Sequence, residues 1–486
     1  MKRILIAILA ILCCLPMAAC SKGGNGTDTT TKAPNTGSAG GEGSPVPDNL
    51  DFDNVVLNVG VRDRDDIAFE LDPTRTTVDK LSVALENRNT YTQDKLNLSF
   101  NFKKLPGTYA QKDQFMEEVR RDVQLGGDGS LDILFGPNYS LVELMLEGYF
   151  LNLYNSNELK YLELESPYWN TNFINECEYA GKLYMLEGEL TLTMLDSSFV
   201  MFCDTENFKS KTDEDLYDIV RRKEWTFEKL QSFVREFGHV DKDGDEKKSD
   251  GDFVGMVSPT FSCGRDGFPT AFGVTVISKG SDGKIALSFE SERNVNIYSE
   301  FYRFVTDNEG LYVNGNLDGA RDGAKAMFTS GNTVFITELL HYGGDLRSQK
   351  RDYGIFPLPM YDEEQGEYYT HSEAVHSQIS VMKGSKKHEA VSAALEELGY
   401  QTHALVIDEY FAMVRYINSR ESESVEMLNI ILNSITCTFG TEFSTQVPSP
   451  FPTPIGSSDS LTDLSAQTDA IKARMNTLKK KIQALD

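Results

Sequence analysis

AQKDQFMEEVRRDVQLGGDGSLDILFG, residues 110–136, holds in one stretch the alternation that decides the fold. Residues 110–125 read as an amphipathic helix, and Gly126-Gly127-Asp128-Gly129 is its stop signal. LDILFG (131–136) follows as a short apolar run of the kind that forms a buried strand. The same units lie on either side. VVLNVGVRD (55–63) reads as a buried strand, residues 76–90 as a helix and LNLSFNF (96–102) as a strand. SLVELMLEGYF (140–150) reads as another helix. Strand–helix–strand alternation predicts an α/β fold with a mostly parallel sheet covered on both faces.

Further along, GKLYMLEGELTL (181–192) and SFVMFCD (198–204) look strand-like. WTFEKLQSFVREFG (225–238) reads as a helix with Thr226 as its N-cap and Trp225 in the core. Residues 323–342 give a helix, a strand and a second helix, and 351–369 an extended segment. Helices are predicted over 386–400, 403–418, 421–435 and 460–486. QVPSPFPTP (446–454) breaks the chain before the last of these, whose apolar stripe is expected to pack on the chain's own body. There is no internal repeat.

The first twenty residues read as an export signal. Lys2 and Arg3 precede the apolar run 4–15, which is too short to span a hydrocarbon core needing about 20 helical residues. Met17-Ala18-Ala19-Cys20 resembles the bacterial lipobox, which implies cleavage before Cys20 and diacylation of its thiol. Two acyl chains hold a protein at a bilayer where one is marginal. The Gly/Ser/Thr/Pro-rich residues 21–49, with Val46 the single large aliphatic, read as a flexible tether. The chain is thus divided into a signal (1–19), a lipid-anchored linker (20–50) and a body, placed at the outer face of the cytoplasmic membrane.

Without residues 1–19 the chain carries 45 basic against 74 acidic residues, a net charge of −29. That argues against nucleic acid and against anionic lipid surfaces, which both favour basic faces. About 435 residues remain for the body, enough for two or three domains. Cys177, Cys203, Cys263 and Cys437 are far apart with no Cys-x-x-Cys pair, so free, buried thiols are expected.

VDKDGDEKKSDGDF (240–253) is the sharpest local signal in the body. Asp241, Asp243 and Asp245 take positions 1, 3 and 5 of a twelve-residue loop; Lys247 offers its carbonyl at 7, Ser249 lies at 9 and Asp252 closes at 12. Alternating oxygens around a tight turn suit calcium. Glu246 stands where the EF-hand pattern wants glycine, however, and the closing residue is Asp rather than Glu. A solvated acidic turn is the alternative, and any ion here would be structural. Enzyme signatures (G-x-S-x-G, H-E-x-x-H, a P-loop) are missing. His371 and His376, five apart, read as ordinary polar residues near a cleft or surface.

Several segments, in this order, resemble the carbohydrate-binding family of extracellular solute-binding proteins that serve bacterial ABC importers, the family of maltose-binding protein. They are GKLYMLEGELTLTMLDSSFVMFCDTENF, EWTFEKLQSFV, the acidic loop, FTSGNTVFITELLHY, DYGIFPLPMYDEEQ and HSEAVHSQISVMKGSKKHEAVSAALEEL. Asp204-Thr205 departs from the family's Asn-Lys-like turn. The resemblance implies a periplasmic-binding-protein-like type II fold of two α/β lobes joined by a crossing-strand hinge that closes on a ligand. Residues 51–197 and 371–405 would form one lobe, 198–370 and 406–486 the other. It implies a monomeric, non-enzymatic receptor that delivers a sugar or oligosaccharide to the permease subunits, with the membrane reached only through the lipid. A surface glycan hydrolase or esterase, or a binding lipoprotein outside transport, are the competing readings.

Ligands of open α/β sheets sit beyond strand C-terminal ends, and sugars ask for aromatic faces and fixed polar groups. The candidates are therefore Arg62 and Asp63, Asn138 and Tyr139, Trp169, Glu187 and Glu189, Tyr342 and His371. Trp169 and Tyr139 are equally readable as packing aromatics, Glu187 and Glu189 as solvated turn residues, and Arg62 with Asp63 as a pair.

Overall fold

The computed structural model describes residues 43–127, 129–259, 264–314, 320–346, 351–418, 422–448 and 461–485. The signal, Cys20, most of the linker, Cys263 and residues 449–454 of the chain-breaking segment lie outside them. Three strands come from the first third of the chain: β1 (Val55–Arg62), β2 (Leu98–Leu105) and β3 (Ile133–Pro137). Eight follow in the middle: β4 (Phe199–Asp204), β5 (His239–Val240), β6 (Phe253–Pro259), β7 (Ile277–Lys279), β8 (Ile285–Leu287), β9 (Leu311–Asn314), β10 (Thr333–Leu339) and β11 (Tyr353–Phe356). β12 (Ser377–Val381) is the last.

A four-stranded sheet has the order β12-β3-β1-β2. β1 runs parallel to β2 in unbroken register from Val55↔Leu98 to Arg62↔Leu105, and parallel to β3. The helix Lys112–Leu125 supplies the crossover, burying Phe115, Met116 and Val119, and ends at Gly126. Gly126 and Gly127 take φ of 59° and 94°, which glycine adopts at low cost. The parallel arrangement is as expected; β12, returning from the far half of the chain, adds an antiparallel edge from Ser377↔Pro137 to Val381↔Ile133.

A six-stranded sheet has the order β11-β4-β10-β6-β5, with β9 also paired to β6. β6 is parallel to β9 and β10, while β4 is antiparallel to both its neighbours. Both faces are covered. Phe199, Met201 and Cys203 join a core with Trp225, Phe227 and Phe335, whereas Val200 and Phe202 join another with Ile336, Tyr353 and Leu428. Thr226 caps the helix Phe227–Phe237 by accepting from the Lys229 amide, and Trp225 is fully buried, both as expected.

Three chain segments run side by side between the sheets. Phe199 N–H donates to the His371 carbonyl at 2.9 Å and Glu373 N–H to that of Ser197 at 2.8 Å. Thr370 N–H donates to Ser434 O at 2.8 Å, and Thr436 N–H to Thr370 O at 3.0 Å. One helical stretch also links them: His388–Gln401, a π-helical turn Thr402–Val406, then Ile407–Asn418. This is the two-lobed, crossing-strand architecture expected. Among the described residues no helix is long and apolar enough to cross a membrane.

Three boundaries differ from the expectation. Val46 is buried in the core of the four-stranded sheet, Ser44 bonds Glu397, and Lys95 bridges Asp48 and Glu397 at 3.5 and 3.0 Å. Folded chain therefore begins inside the linker assigned to 20–50: one aliphatic side chain between two prolines suffices to dock it. Residues 181–192 form no strand; they follow the sheet through single bridges such as Leu186↔Ile379. Residues 406–486, grouped above with the second lobe, divide. Tyr410, Met427 and Leu428 pack on the six-stranded sheet, but Phe439, Val447, Ile471, Met475, Leu478 and Ile482 belong to the four-stranded core. The last helix (Leu461–Ala484) thus packs on the chain's own body as expected, on the lobe opposite to the one assigned. Cys177, Cys203 and Cys437 are free thiols, the first two buried and the third half-buried.

Candidate ligand site at the sheet ends

The C-terminal ends of β1 and β3 meet the return segment 371–378. β1 delivers Arg62, only 2% exposed. Its Nη2 donates to the Val375 carbonyl and the guanidinium lies within hydrogen-bonding reach of Tyr139, while Nε and Nη1 are buried without an aligned partner among the described residues. Burial pulls this guanidinium down to about 10, with Tyr139 and Glu70 acting in the opposite sense, so it stays charged at neutral pH. Glu70 is buried nearby; desolvation raises its carboxyl to about 7, against the Thr193 amide that donates to it at 3.1 Å. Arg88, buried in the same region, spends its Nη2 on the Glu70 carbonyl (2.7 Å) and its Nε on Asn89 (3.0 Å).

β3 delivers the next pair. Asn138 Nδ2 donates to Glu442 at 3.0 Å and to Gln378 at 3.3 Å, leaving its Oδ1 buried and unpartnered. Tyr139 meets Tyr109 edge to face, ring centres 5.1 Å apart, and Tyr109 is 60% exposed.

The crossing region holds an ion pair. Glu187 Oε2 lies 2.7 Å from His376 Nε2, and Asn170 Nδ2 donates to Glu187 Oε1 at 2.8 Å. His376 Nδ1 is 2.8 Å from the Glu373 carbonyl, so an acceptor faces each ring nitrogen and the imidazole holds both protons. Burial lowers its pKa, but the charge and hydrogen bond of Glu187 outweigh that and bring it to about 9. Glu442, next in this cluster, is raised to about 7 by burial and by Glu187. His371 is stacked on Phe199 at 5.7 Å, its Nδ1 buried and unpartnered, and burial lowers it to about 4.

Arg62, Asn138, Tyr139, Glu187 and His371 are thus gathered around the 371–378 segment. The other candidates are not. Asp63 turns outward to Arg75 (2.5 Å) and Lys104 (3.6 Å) rather than pairing with Arg62. Trp169 is a packing aromatic, 3% exposed, with Nε1 bonded to Glu396 and Tyr168 edge-on at 5.5 Å. Glu189 bonds His403 at 2.8 Å. Tyr342 is buried against Phe202 in the other lobe, beneath the Lys325 ammonium at 4.3 Å. Neither glutamate is a solvated turn residue, since Glu187 is 3% exposed and both are paired with histidine.

Sequence reasoning missed Tyr109, Glu70, Arg88, Gln378 and Glu442, and took His376 for an ordinary polar residue. Tyr109 had a signal: it follows β2, and the rule that selects residues after β1 and β3 selects it too. The others are assembled only by tertiary packing.

At the acidic loop, Asp241, Asp243 and Asp252 bring one carboxylate oxygen each within 4.8 Å of one another. Asp245 stays outside this group and accepts from the Lys247 amide at 2.8 Å. Glu246 adopts φ of 64°, the left-handed conformation for which the calcium-loop pattern uses glycine. Asp241 already accepts amides of residues 243, 244 and 246, which hold its pKa low, and Asp252 accepts those of 242 and 249. The residues fit a hard cation in kind, with a loop closed by its own amides.

Comparison with solved structures defines the class of fold. The chain resembles a cyclo/maltodextrin-binding protein solved with maltotetraose (14% identity, TM-score 0.51), over 89% of this chain and 98% of that one. It resembles UspC of M. tuberculosis likewise (14%, TM-score 0.50), over 86% of this chain and all of that one. No family model matches the sequence, and no curated protein matches it. The fold is therefore that of the maltodextrin-binding type of two-lobed binding protein, reached from a distant sequence.

Proposed function

We propose that the protein is the extracellular receptor of an ABC importer, capturing a sugar or oligosaccharide by hinge closure without chemistry and presenting it to the permease. The observation that carries this reading is Arg62: a buried, charged side chain with two donors that find no aligned partner among the described residues, at a strand end beside the crossing segments. An orphaned buried donor costs about 1–3 kcal/mol, so it is retained where an occupant uses it. Residues 51–197 with 371–405 constitute the first lobe, joined by the β7–β8 hairpin, Phe439, Val447 and the C-terminal helix, and the rest of 198–370 the core of the second. The receptor acts as a monomer, held at the outer face of the cytoplasmic membrane by the lipid on Cys20, its only membrane contact.

Calorimetric titration against a panel of oligosaccharides, with product analysis, tests the proposal. Saturable binding of unaltered sugar is expected; turnover of any panel sugar would establish a hydrolase instead. We assign the acidic loop a structural calcium ion through Asp241, Asp243 and Asp252. Millimolar calcium is expected to raise the melting temperature by a few degrees, in line with about 1 kcal/mol for a chain of this size, and Asp243→Ala to abolish the rise. No rise in the parent protein would dismiss the ion.

A further inference from the structure

The buried charges at the end of β1 do not balance. Arg62 and Arg88 are both buried there, and the buried carboxyl that acts on both of them is that of Glu70. Glu70 is engaged by the Thr193 amide, and Arg88 by Asn89 and a carbonyl. The nearest exposed acids are spent elsewhere: Asp66 on Arg64 with Nε at 3.0 Å, and Asp63 on Arg75. Arg62 donates to a carbonyl and lies within hydrogen-bonding reach of Tyr139, while its Nε and Nη1 lack an aligned partner among the described residues. Its anion, Glu70, is shared with Arg88, and guanidinium is the side chain best suited to hold carboxylate or sulfate oxygens.

An aromatic face lies beside it. The loop after β2 lies against the loop after β1, Asp63 N–H donating to Leu105 O at 2.8 Å. It presents Tyr109, 60% exposed, held edge-on to Tyr139 and with the Lys112 ammonium over one face of its ring, 4.9 Å from the centre. Such a ring stacks on the C–H face of a pyranose, whereas a small inorganic anion has no use for it.

We infer that the ligand is an acidic sugar, a uronate- or sulfate-bearing oligosaccharide, whose anionic group bonds Arg62 while an adjacent ring stacks on Tyr109. The inference rests on the receptor reading above and narrows its ligand class. Long-range repulsion from a net charge of −29 opposes an acidic ligand, but charges beyond about 8 Å are largely screened at physiological salt. The ion pair with Arg62 is local and dehydrated, and keeps its strength.

Calorimetry on the mature protein decides, with matched pairs: trigalacturonate against galactotriose, and 6-O-sulfated N-acetyllactosamine against N-acetyllactosamine. At least one acidic member is expected to bind tenfold or more tighter than its neutral counterpart, and which one identifies the anion. Arg62→Met is expected to erase that preference, Arg62→Lys to restore part of it, and Tyr109→Ala to weaken both members of the pair alike. Neutral members binding as tightly as acidic ones would overturn the inference and leave the receptor reading standing. Failure of every panel sugar to bind, or hydrolysis of one, would overturn both. If Arg62→Met does not fold, the parent protein's preference between matched sugars still separates these outcomes.

Discussion

His376→Gln is expected to lower the stability of the protein by about 3–5 kcal/mol at pH 7, the usual cost of leaving one member of a buried ion pair alone. Glu187 would keep its Asn170 bond but lose its cation, at 3% exposure. The substitution should also change how stability depends on pH. His376 titrates near 9 in the folded protein and near 6.5 when unfolded. Its contribution is full below pH 6.5 and is lost as pH rises through 9, on the order of 3 kcal/mol in all. Glu70 and Glu442, raised to about 7, also lose stability with rising pH, but between about 4.5 and 7. His371 has the opposite sign: lowered to about 4, it destabilises the fold as pH falls from 6.5. Urea denaturation of parent and His376→Gln at pH 6.5, 7.5 and 8.5 reads the difference. The parent should weaken across this range, and the variant should keep only the shallower loss below 7.5 that Glu70 and Glu442 contribute to both; an equally steep slope in the variant would refute the pairing. A Glu187→Gln, His376→Gln double variant should recover part of the loss, because the stranded carboxylate is gone.

Cys20→Ser is expected to move the protein from the membrane fraction to the medium almost completely. Acyl chains contribute about 0.8 kcal/mol per buried methylene, so loss of both removes more binding than any surface contact on so acidic a body restores. The released body should melt at the parent's temperature, since the first described residue seated in its core is Val46, well beyond the substituted position. Fractionation and a melting curve are the measurements. Retention of Cys20→Ser on membranes would mean a second attachment, and a lowered melting temperature would mean that the lipid or its neighbours contribute to the fold.

How much of this is legible in the sequence follows from which interactions are local. Helix Phe227–Phe237 is readable because its cap, its Trp225 neighbour and its apolar stripe lie in consecutive residues. So is the β1–β2–β3 unit, where periodicity and stop signals agree. Segment 181–192 misleads because residues 183–188 are buried in succession, as in a central strand, while meeting their neighbours through single bridges at Leu186 and Gly188. The site is half legible. Strand ends point to Arg62, Asn138 and Tyr139, but the rule marks neighbours equally and cannot tell Arg62 from Asp63, which faces its own cations. Glu442 is beyond reach, since 304 residues of chain separate it from the Asn138 amide that it accepts.

The π-helical turn Thr402–Val406 bears on how the two halves are coupled. Before it, Val391, Ala394, Leu395 and Leu398 face the four-stranded core; after it, Val406, Tyr410 and Val414 join a cluster shared by both lobes, with Phe69, Leu81 and Leu85 from one and Ile336 and Tyr353 from the other. A π turn takes up one surplus residue in a wider turn, so the segments on either side face as they would in a continuous α-helix one residue shorter. The surplus is taken up where Thr402 bonds back to Leu398 and His403 to Glu189. A single-residue deletion there would restore an uninterrupted α-helix with both halves still in mesh.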